Sequence, residues 1–322
     1  ECLHLHYWHM AFILMLRKFH PYFQSLKDIR TVFTIHNLAM QGIRPFQGHE
    51  SSLAAWFPGL WFEWLDLHDP AAPDCVNPMA AGIRLADMVH TVSPSYAREI
   101  LSPSRKPDVY AGGEGLESVL QYAASENRLI GILNGCAYPD ERRPPKQNFQ
   151  ALCRTLKSGM SGWLAGKEAV PVAHFLAETR LSDPANQRAE PSVLATSVSR
   201  LTDQKMLLMQ SSGTNGKAAL EDILRLLQRF NGIYILLGAG DRAYESFFSD
   251  MSAAFENFIF LNGYSETCAD ALYANGDLFL MPSSFEPCGI SQMLAMRDGQ
   301  PCVAHHVGGL KDTVRHKETG FA

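Results

Sequence analysis

Two cations follow a short apolar run in the second half of the chain. Residues 192–199 are predicted to form a buried strand, and Arg200 and Lys205 come directly after it. Thr202 or Asp203 can cap the helix that follows, which places Lys205 in the first turn, where the helix dipole disfavours a cation. A diphosphate held by Arg200, Lys205 and the helix amides would resolve this conflict. The alternative is a solvated surface lysine.

A carboxylate follows a second predicted strand, 277–282. Glu286 precedes a glycine-containing helix start, predicted at 288–297, whose free N–H groups can bind phosphate oxygens. Glu286 would then lie beside the anion, in a position to accept hydrogen bonds from sugar hydroxyls. The alternative is a glutamate that is simply favoured by the dipole at the start of a helix.

Histidines follow two predicted strands in the first half of the chain. His9 and the pair His36–Asn37 each come just after such a strand. The pair is consistent with binding of sugar hydroxyls and equally with a capping turn. His4 and His6 share one strand face, but His9 lies beyond the strand and no acidic partner is near in sequence. We therefore expect no metal site.

Two glycine-containing turns also follow predicted strands. The turn 238–241 (GAGD) resembles half of a dinucleotide-binding fingerprint, but the third glycine is absent at the required spacing, which favours a tight turn. The turn 308–310 (GGL) is a second place where the backbone can approach a ligand. Neither GxSxG nor HExxH occurs in the sequence.

The elements that would position these residues alternate between strand and helix. In the second half, short apolar runs alternate with amphipathic segments such as 217–230. This pattern predicts a parallel sheet covered by helices on both faces. The first half repeats the pattern less clearly, around a stretch rich in proline and tryptophan, 45–78, that has no clear period. Ligands of such sheets bind beyond the carboxyl ends of the strands, where all the candidates lie.

The length of 322 residues exceeds what one hydrophobic core usually supports, so we predict two domains. Both are expected to be Rossmann-like, doubly wound α/β domains facing a cleft. The N-terminal domain covers residues 1–190, including a proline-rich linker at 137–190, and the C-terminal domain covers 191–322. The chain begins with Glu1 rather than methionine. We therefore expect a piece of a longer chain.

Composition and charge exclude several classes of function. A net charge of −5 argues against nucleic acid as the main partner. The content of 46% hydrophobic and 19% charged residues excludes a disordered or fibrous chain. The longest apolar run, Met10–Leu16, is too short to span a bilayer, so no membrane partner is expected. Seven scattered cysteines without a CxxC pair favour reduced thiols in a cytoplasmic protein.

Taken together, the segments that carry these candidates resemble bacterial glycogen synthase and plant starch synthase. These are the ADP-glucose glucosyltransferases of glycosyltransferase family 5, which have the GT-B fold. The segments occur in the order found in the family and cover most of the chain outside 45–75 and 137–191. They are LHLHYWH (3–9), TIHNLAMQG (34–42), AGIRLADMVHTVSPSYAREI (81–100), GILNG (131–135), SRLTDQK (199–205), LLGAGD (236–241), FLMPSSFEPCGISQ (279–292) and GGLKDT (308–313).

The resemblance implies a role for each candidate. Arg200 and Lys205 would bind the donor diphosphate and stabilise the leaving ADP. Glu286 would contact the transferred glucose, and His9 would lie near the reacting sugar. The remaining implied residues are Asn134, His36 and Asn37 for sugar hydroxyls, the backbone around Cys288, Gly289, Ile290 and Ser291 for phosphate oxygens, and Tyr264 for stacking on adenine.

The reaction implied by the resemblance is retaining transfer of glucose from ADP-glucose to the non-reducing end of an α-1,4-glucan such as glycogen or starch. No metal and no cofactor is expected, and the location would be the bacterial cytoplasm or a plant plastid. Two alternatives stay open: a related GT-B enzyme that uses UDP-glucose or another acceptor, and a catalytically impaired glucan-binding homologue. A glycosidase is disfavoured, because hydrolysis needs two carboxylates and only one is well placed.

The chain departs from the family pattern at several points. Tyr7 replaces the aspartate of the family's HDWH-type segment, and Cys136-Ala137 stands where the family has an apolar residue and an aspartate. The family's lysine-glycine-glycine loop would lie upstream of Glu1, and its carboxyl-terminal helices beyond Ala322. We therefore expect both domains to be incomplete, and these 322 residues alone to contain most of the donor site but to turn over poorly.

Overall fold

The computed structural model describes residues 1–105, 111–138, 146–164, 170–183, 190–213 and 216–322. The chain divides into two compact units. Unit 1 contains Glu1–Asn134, Phe285–Cys288 and Val307–Asp312, and unit 2 contains Gly135–Ser284, Gly289–His306 and Thr313–Ala322. Two short segments from the second half of the sequence, one of them with Glu286, therefore belong to unit 1.

Unit 1 is built on a parallel sheet. The strands of this unit are, in chain order, β1 (Cys2–His6), β2 (Arg30–Ile35), β3 (Arg44–Pro45), β4 (Cys75–Val76), β5 (Met88–Thr91) and β6 (Leu129–Gly131). The sheet has the order β1-β2-β5-β6 with all neighbours parallel, while β3 and β4 pair as a short antiparallel ribbon. Phe33, Ile35 and Val89 are fully buried in its core, as the apolar runs predict.

The helices of unit 1 pack on this sheet or lie in the connections between its strands. Gly82 allows the closest approach, because a Cβ there would lie 2.5 Å from the ring of Phe33. The stretch 45–78, which has no clear period in the sequence, contains two four-residue helices. The helices are Tyr7–Phe19, Leu53–Trp56, Trp64–Leu67, Pro78–Leu85, Pro94–Glu99 and Glu117–Ser125, with a 3-10 helix at Pro21–Leu26.

Unit 2 contains a second parallel sheet. Its strands are β7 (Val193–Val198), β8 (Gly232–Gly238), β9 (Phe258–Asn262), β10 (Leu278–Met281), β11 (Cys302–Ala304) and β12 (Gly320–Phe321). They lie in the order β12-β11-β10-β7-β8-β9, so the chain winds outward from β7 in both directions. This is the doubly wound order of Rossmann-like folds, and the direction reverses between β7 and β10. The predicted α/β, Rossmann-like fold class is confirmed.

The core of unit 2 combines aliphatic side chains with aromatic ones on β8, β9 and one helix, including Tyr234, Phe248 and Phe260. The helix predicted at 288–297 begins only at Ser291, because Gly289 has φ +78° and cannot be part of a helix. The helices are Phe149–Met160, Val172–Ser182, Asp203–Gln210, Ala219–Arg229, Arg242–Ala254, Glu266–Asn275 and Ser291–Arg297, with a 3-10 helix at Ser161–Leu164. A last helix, Gly308–Thr313, begins in unit 1.

The segment 137–190, predicted as a linker of the N-terminal domain, is grouped with unit 2. Helix Phe149–Met160 packs against helix Glu266–Asn275, and helix Val172–Ser182 packs against β9. The compact units therefore change over after Asn134 rather than near residue 190. Residues 139–145, 165–169 and 184–189 of this segment lie outside the described residues.

The structure shows the character of the helices and the state of the cysteines. In the described part of the chain, no helix combines the length and the apolar character needed to cross a membrane. All seven cysteines lie within the described residues and are free thiols. Burial raises the pKa of Cys302 to about 12 and that of Cys153 to about 11, so both thiols are protonated at neutral pH.

Candidate functional site

The loop after β7 carries Arg200 and runs beside the loop after β8. The backbone N–H of Leu201 donates to the carbonyl of Ala239 at 3.1 Å, and Asp241 N–H donates to the carbonyl of Leu201 at 2.8 Å. A Cβ on Gly240 would lie 2.3 Å from the Leu201 carbonyl oxygen. The glycine therefore allows close packing between two loops, which accounts for the GAGD turn without a dinucleotide. The Arg200 side chain is exposed.

The helix Asp203–Gln210 places Lys205 in its first turn, as predicted, with the side chain half-buried. Thr202 occupies the N-cap position, but its side chain makes no capping hydrogen bond. Asp203 instead accepts a hydrogen bond of 2.8 Å from the hydroxyl of Tyr244. Burial, and then the nearby Asp203 carboxylate, raise the pKa of Tyr244, so this hydroxyl remains a donor at neutral pH.

The loop after β10 is joined directly to this helix. The backbone N–H of Ser284 donates to the carbonyl of Gln204 at 2.8 Å, and the Ser284 hydroxyl donates to the same oxygen at 3.2 Å. The loops after β7 and β10 flank the point where the strand order reverses. Ligands of doubly wound sheets bind in the crevice at that point. Arg200 and Lys205 therefore lie where the unit 2 sheet is expected to bind a ligand.

The segment 289–291 and Tyr264 belong to the same unit. The side-chain amide of Gln292 donates to the carbonyl of Gly289 at 2.9 Å, which holds the turn before the helix Ser291–Arg297. Ser291 hydrogen-bonds with Tyr273, and Tyr264 lies within electrostatic reach of the same tyrosine; burial raises the pKa of Tyr273 to about 12. Tyr264 is 67% exposed. Its ring is thus accessible on the surface near the predicted phosphate-binding turn.

Ile290 lies within this turn and Cys288 directly precedes it, and their side chains differ in exposure. The Ile290 side chain is 47% exposed, whereas Cys288, grouped with unit 1, is buried at 4% exposure. The contribution of Cys288 to a ligand site is therefore limited to its backbone.

Glu286 lies in unit 1 and is buried at 5% exposure. Its carbonyl accepts a hydrogen bond of 2.8 Å from the backbone N–H of Gly309. The backbone N–H of Gly308 donates to both carboxylate oxygens of Glu99, at 3.0 and 3.1 Å. The turn 308–310, interpreted above as a place for a ligand, therefore uses these two N–H groups inside the protein.

His9 is the third residue of the helix Tyr7–Phe19, and its exposed ring stacks on Trp8 with centroids 3.6 Å apart. Tyr7, at the junction between β1 and this helix, has φ +64°, which is unusual for a residue other than glycine. Its ring stacks on His36 at 4.4 Å. The residue that replaces the family's aspartate thus covers one of the candidate sugar-binding histidines.

Histidines on three neighbouring strands or strand ends form a cluster, which the sequence indicates only for His4 and His6. His6 Nδ1 lies 2.9 Å from His36 Nε2, and Thr34 Oγ1 lies 2.7 Å from His4 Nε2 and 3.0 Å from His90 Nδ1. Burial is the largest cause, and charge on neighbouring histidines a further one, of a lowered pKa at His4, His36 and His90. These rings are therefore neutral at pH 7.

The metal interpretation of the histidines concerns His4, His6 and His9. Among the described residues, no group of three or more His, Cys, Asp or Glu side chains is arranged to hold a metal ion. The sequence indicates only part of the histidine cluster. His4 and His6 share a strand face, but His90 joins them because Thr34 pairs with His6 on one side and with His90 on the other.

Comparison with known proteins gives a family match in each half of the chain. Residues 1–122 match the family described as the starch synthase catalytic domain, and residues 214–322 match the glycosyl transferases group 1. A glycogen synthase from Streptococcus equi subsp. equi is 36% identical over 98% of this chain, and one from Streptococcus sanguinis is 38% identical over 100%. The chain is a homologue of the glycogen synthases. It spans 59% and 62% of the lengths of these two relatives.

A solved structure agrees with this assignment. The catalytic domain of starch synthase IV from Arabidopsis thaliana, bound to ADP and acarbose, superposes with a TM-score of 0.68 at 25% identity. The match covers 99% of this chain and 59% of that chain. The chain thus shares its α/β fold, with parallel sheets, with a GT-B glycosyltransferase.

The other sugar-binding candidates lie at strand ends of unit 1. Asn37 follows β2, and its side-chain oxygen accepts a 2.9 Å hydrogen bond from the backbone N–H of Ala39. The capping turn weighed above is therefore present, although a half-buried side chain remains at this edge. Asn134 follows β6 and is also half-buried. Their contacts with a sugar stay predictions.

Proposed function

We propose that this chain is part of a retaining glucosyltransferase that transfers glucose from ADP-glucose to the non-reducing end of an α-1,4-glucan. The observation that carries the proposal is the 36–38% identity to glycogen synthases over nearly the whole chain. The starch synthase IV domain with ADP and acarbose adds support, because it pairs the same fold with a nucleotide and an oligosaccharide analogue.

Arg200 and Lys205 are proposed to bind the donor diphosphate. Negative charge grows on the leaving ADP as the bond to the anomeric carbon breaks, and fixed positive charge stabilises that transition state. The two cations lie at the strand-order reversal of unit 2, beside the start of the helix Asp203–Gln210. The backbone around Gly289, Ile290 and Ser291 would add N–H donors, and Tyr264 would stack on adenine.

The groups proposed to orient the transferred glucose belong to unit 1. Glu286 would accept hydrogen bonds from sugar hydroxyls, and His9 would lie near the reacting carbon. Asn134, His36 and Asn37 would hold other hydroxyls of donor or acceptor. Held in this way, the donor reacts as a positioned group rather than by random encounter. No covalent nucleophile is assigned, because one positioned carboxylate fits a front-face mechanism as well as a double displacement.

The proposal includes no metal and no cofactor, since Arg200, Lys205 and backbone N–H groups can supply the charge that a phosphate-bound metal would otherwise supply. A location in the bacterial cytoplasm or a plant plastid belongs to the same proposal and rests on the family resemblance.

A second candidate function is a glucan-binding homologue with impaired catalysis. It is favoured by Tyr7, which replaces the family's aspartate, adopts a left-handed backbone conformation and stacks on His36. An aromatic ring there can pack on a sugar but cannot accept hydrogen bonds as a carboxylate does. A GT-B enzyme using UDP-glucose or another acceptor remains the nearest catalytic alternative.

Two measurements on the full-length protein separate the three functions. Incorporation of labelled glucose into glycogen is measured with ADP-glucose and with UDP-glucose, and binding to glycogen is measured by co-sedimentation. Transfer from ADP-glucose at a higher kcat/KM supports the synthase. Preference for UDP-glucose supports the related transferase. Glycogen binding without transfer from either donor supports the impaired homologue and contradicts the main proposal.

A further inference from the structure

We infer that Ser93 is a positioning residue for Glu286. Ser93 follows β5 and caps the helix Pro94–Glu99, far in sequence from the segment 285–288 and outside the groups assigned to the reaction above. The role rests on the proposed function, because it concerns how the carboxylate that would orient the glucose is held.

The Ser93 hydroxyl makes two hydrogen bonds at once. It donates to the carbonyl of Pro287 at 2.6 Å and accepts from the backbone N–H of Tyr96 at 3.1 Å. Ser93 is fully buried, and Pro287 is 194 residues away along the chain. The first bond fixes the peptide between Pro287 and Cys288, one residue beyond Glu286. The second fixes the hydroxyl itself on a helix.

Glu286 is held from its other side by the turn at Gly308–Gly309. Gly309 N–H donates to the Glu286 carbonyl, and a Cβ on Gly308 would lie only 2.0 Å from the same oxygen. Glu99 holds this turn. Its carboxylate accepts a hydrogen bond from the Gly308 N–H and another, of 2.6 Å, from Lys311 Nζ. Both supports of Glu286 thus originate from one short helix and its cap.

The same helix has further polar contacts that make it a rigid support. Ser95 binds the Asp312 carboxylate through its N–H and its hydroxyl, both at 2.7 Å. The buried hydroxyl of Tyr96 accepts from the backbone N–H of Leu38, next to the His36–Asn37 pair. Gly131, at the end of β6, lies so close to Ser93 that a Cβ there would be 2.3 Å from the Ser93 carbonyl oxygen. One helix therefore orients several loops that carry candidate sugar-binding residues.

The positioning role predicts a large effect on turnover and a small effect on ADP binding. A displacement of about 1 Å in a group that orients the reacting sugar can lower the rate by about 100-fold. The cations proposed to bind ADP belong to unit 2, whereas Ser93 and Glu286 belong to unit 1. Removing the hydroxyl should therefore affect kcat far more than the dissociation constant of ADP.

The test uses the full-length protein and compares Ser93→Ala with Ser93→Thr, which keeps the hydroxyl, and with Ser52→Ala. Ser52 is a matched control, because it is also a buried N-cap serine of unit 1, accepting from Ala55 N–H at 3.2 Å. For each variant, kcat with ADP-glucose and glycogen, the dissociation constant of ADP, and the melting temperature are measured.

Ser93→Ala is expected to lower kcat by about 10- to 100-fold with an ADP dissociation constant within about twofold of wild type. Ser93→Thr should recover most of that loss, and Ser52→Ala should keep wild-type kcat despite a similar loss of stability. Equal kcat in Ser93→Ala and wild type would overturn the inference. If Ser93→Ala does not fold, Glu99→Gln, which weakens the support at Gly308, should show the same separation of kcat from ADP affinity, and its absence would overturn the inference.

A structural measurement separates failure of this inference from failure of the proposed function. Hydrogen–deuterium exchange of the peptide that covers 283–291 should become about tenfold faster in the folded Ser93 or Glu99 variant than in Ser52→Ala. If the wild-type protein transfers no glucose but the Ser93 or Glu99 variant still exchanges faster, the positioning role stands and the transferase proposal is rejected. Unchanged exchange would reject the positioning role whatever the activity.

Discussion

The hydroxyl of Tyr244 donates a 2.8 Å hydrogen bond to Oδ1 of Asp203, the first residue of the helix that carries Lys205. Tyr244 is almost fully buried in the unit 2 core. The first turn of a proposed diphosphate-binding helix is thus fixed by a side chain from the helix Arg242–Ala254.

Replacing Tyr244 with phenylalanine should lower both stability and ADP affinity. This hydrogen bond is only partly buried, and a hydrogen bond to a charged group contributes about 1.5–3 kcal/mol, so the free energy of unfolding in urea should fall by about 1.5 kcal/mol. ADP affinity by calorimetry should fall severalfold, because the first turn is less constrained. Tyr234→Phe is the control: it removes a buried 2.9 Å bond to Ser197 within the sheet. An equal loss of ADP affinity in both variants would contradict this account.

Replacing Lys205 with alanine should weaken ADP binding and reduce turnover. Loss of one preorganised group that stabilises transition-state charge typically lowers kcat by about 100- to 1000-fold. Lys217→Ala provides the control. Lys217 is an exposed lysine whose Nζ lies 2.7 Å from a carboxylate oxygen of Glu221, on the helix Ala219–Arg229. Steady-state kinetics with ADP-glucose and glycogen report the result. Unchanged turnover in Lys205→Ala would exclude the diphosphate role.

Replacing Gly240 with alanine should disturb the loop that carries Arg200. The new methyl group would overlap the Leu201 carbonyl at 2.3 Å, so the two loops must separate. Overpacking of this kind costs about 1–3 kcal/mol. Urea unfolding and ADP titration should both show a loss. At Gly162 a Cβ meets open space, so Gly162→Ala should leave both quantities near wild type. Wild-type ADP binding in Gly240→Ala would argue against a role of this packing.

The histidine cluster predicts that stability falls in mild acid. Burial lowers the pKa of His36 and His90 in the folded protein, so below about pH 6.5 the unfolded chain binds more protons. The free energy of unfolding should therefore be constant above about pH 7 and decrease as the pH falls towards 5. Urea unfolding at several pH values measures this slope.

His90→Asn should make that slope shallower, because one of the titrating groups is removed. A His90→Asn protein with the wild-type slope would show that the cluster does not account for the pH dependence.

Local sequence patterns were sufficient for the fold class and for most strands. The run 192–199 and the segment 217–230 predicted β7 and the helix Ala219–Arg229 to within a few residues, because apolar runs and helical periods depend on neighbours in sequence. The position of Lys205 in a first turn followed from the same local rules. The stretch 45–78 resisted prediction, because its short helices and ribbon have no period of their own.

Contacts between distant residues decided the rest. Glu286 belongs to unit 1 because Ser93 and Gly309 bind its backbone segment, and the Ser93–Pro287 bond joins residues 194 positions apart. The N–H of Gly308, which looked free in the sequence, is bound by Glu99. A linear pattern records which groups can form hydrogen bonds, but burial requires each group to find a partner, and folding alone selects that partner.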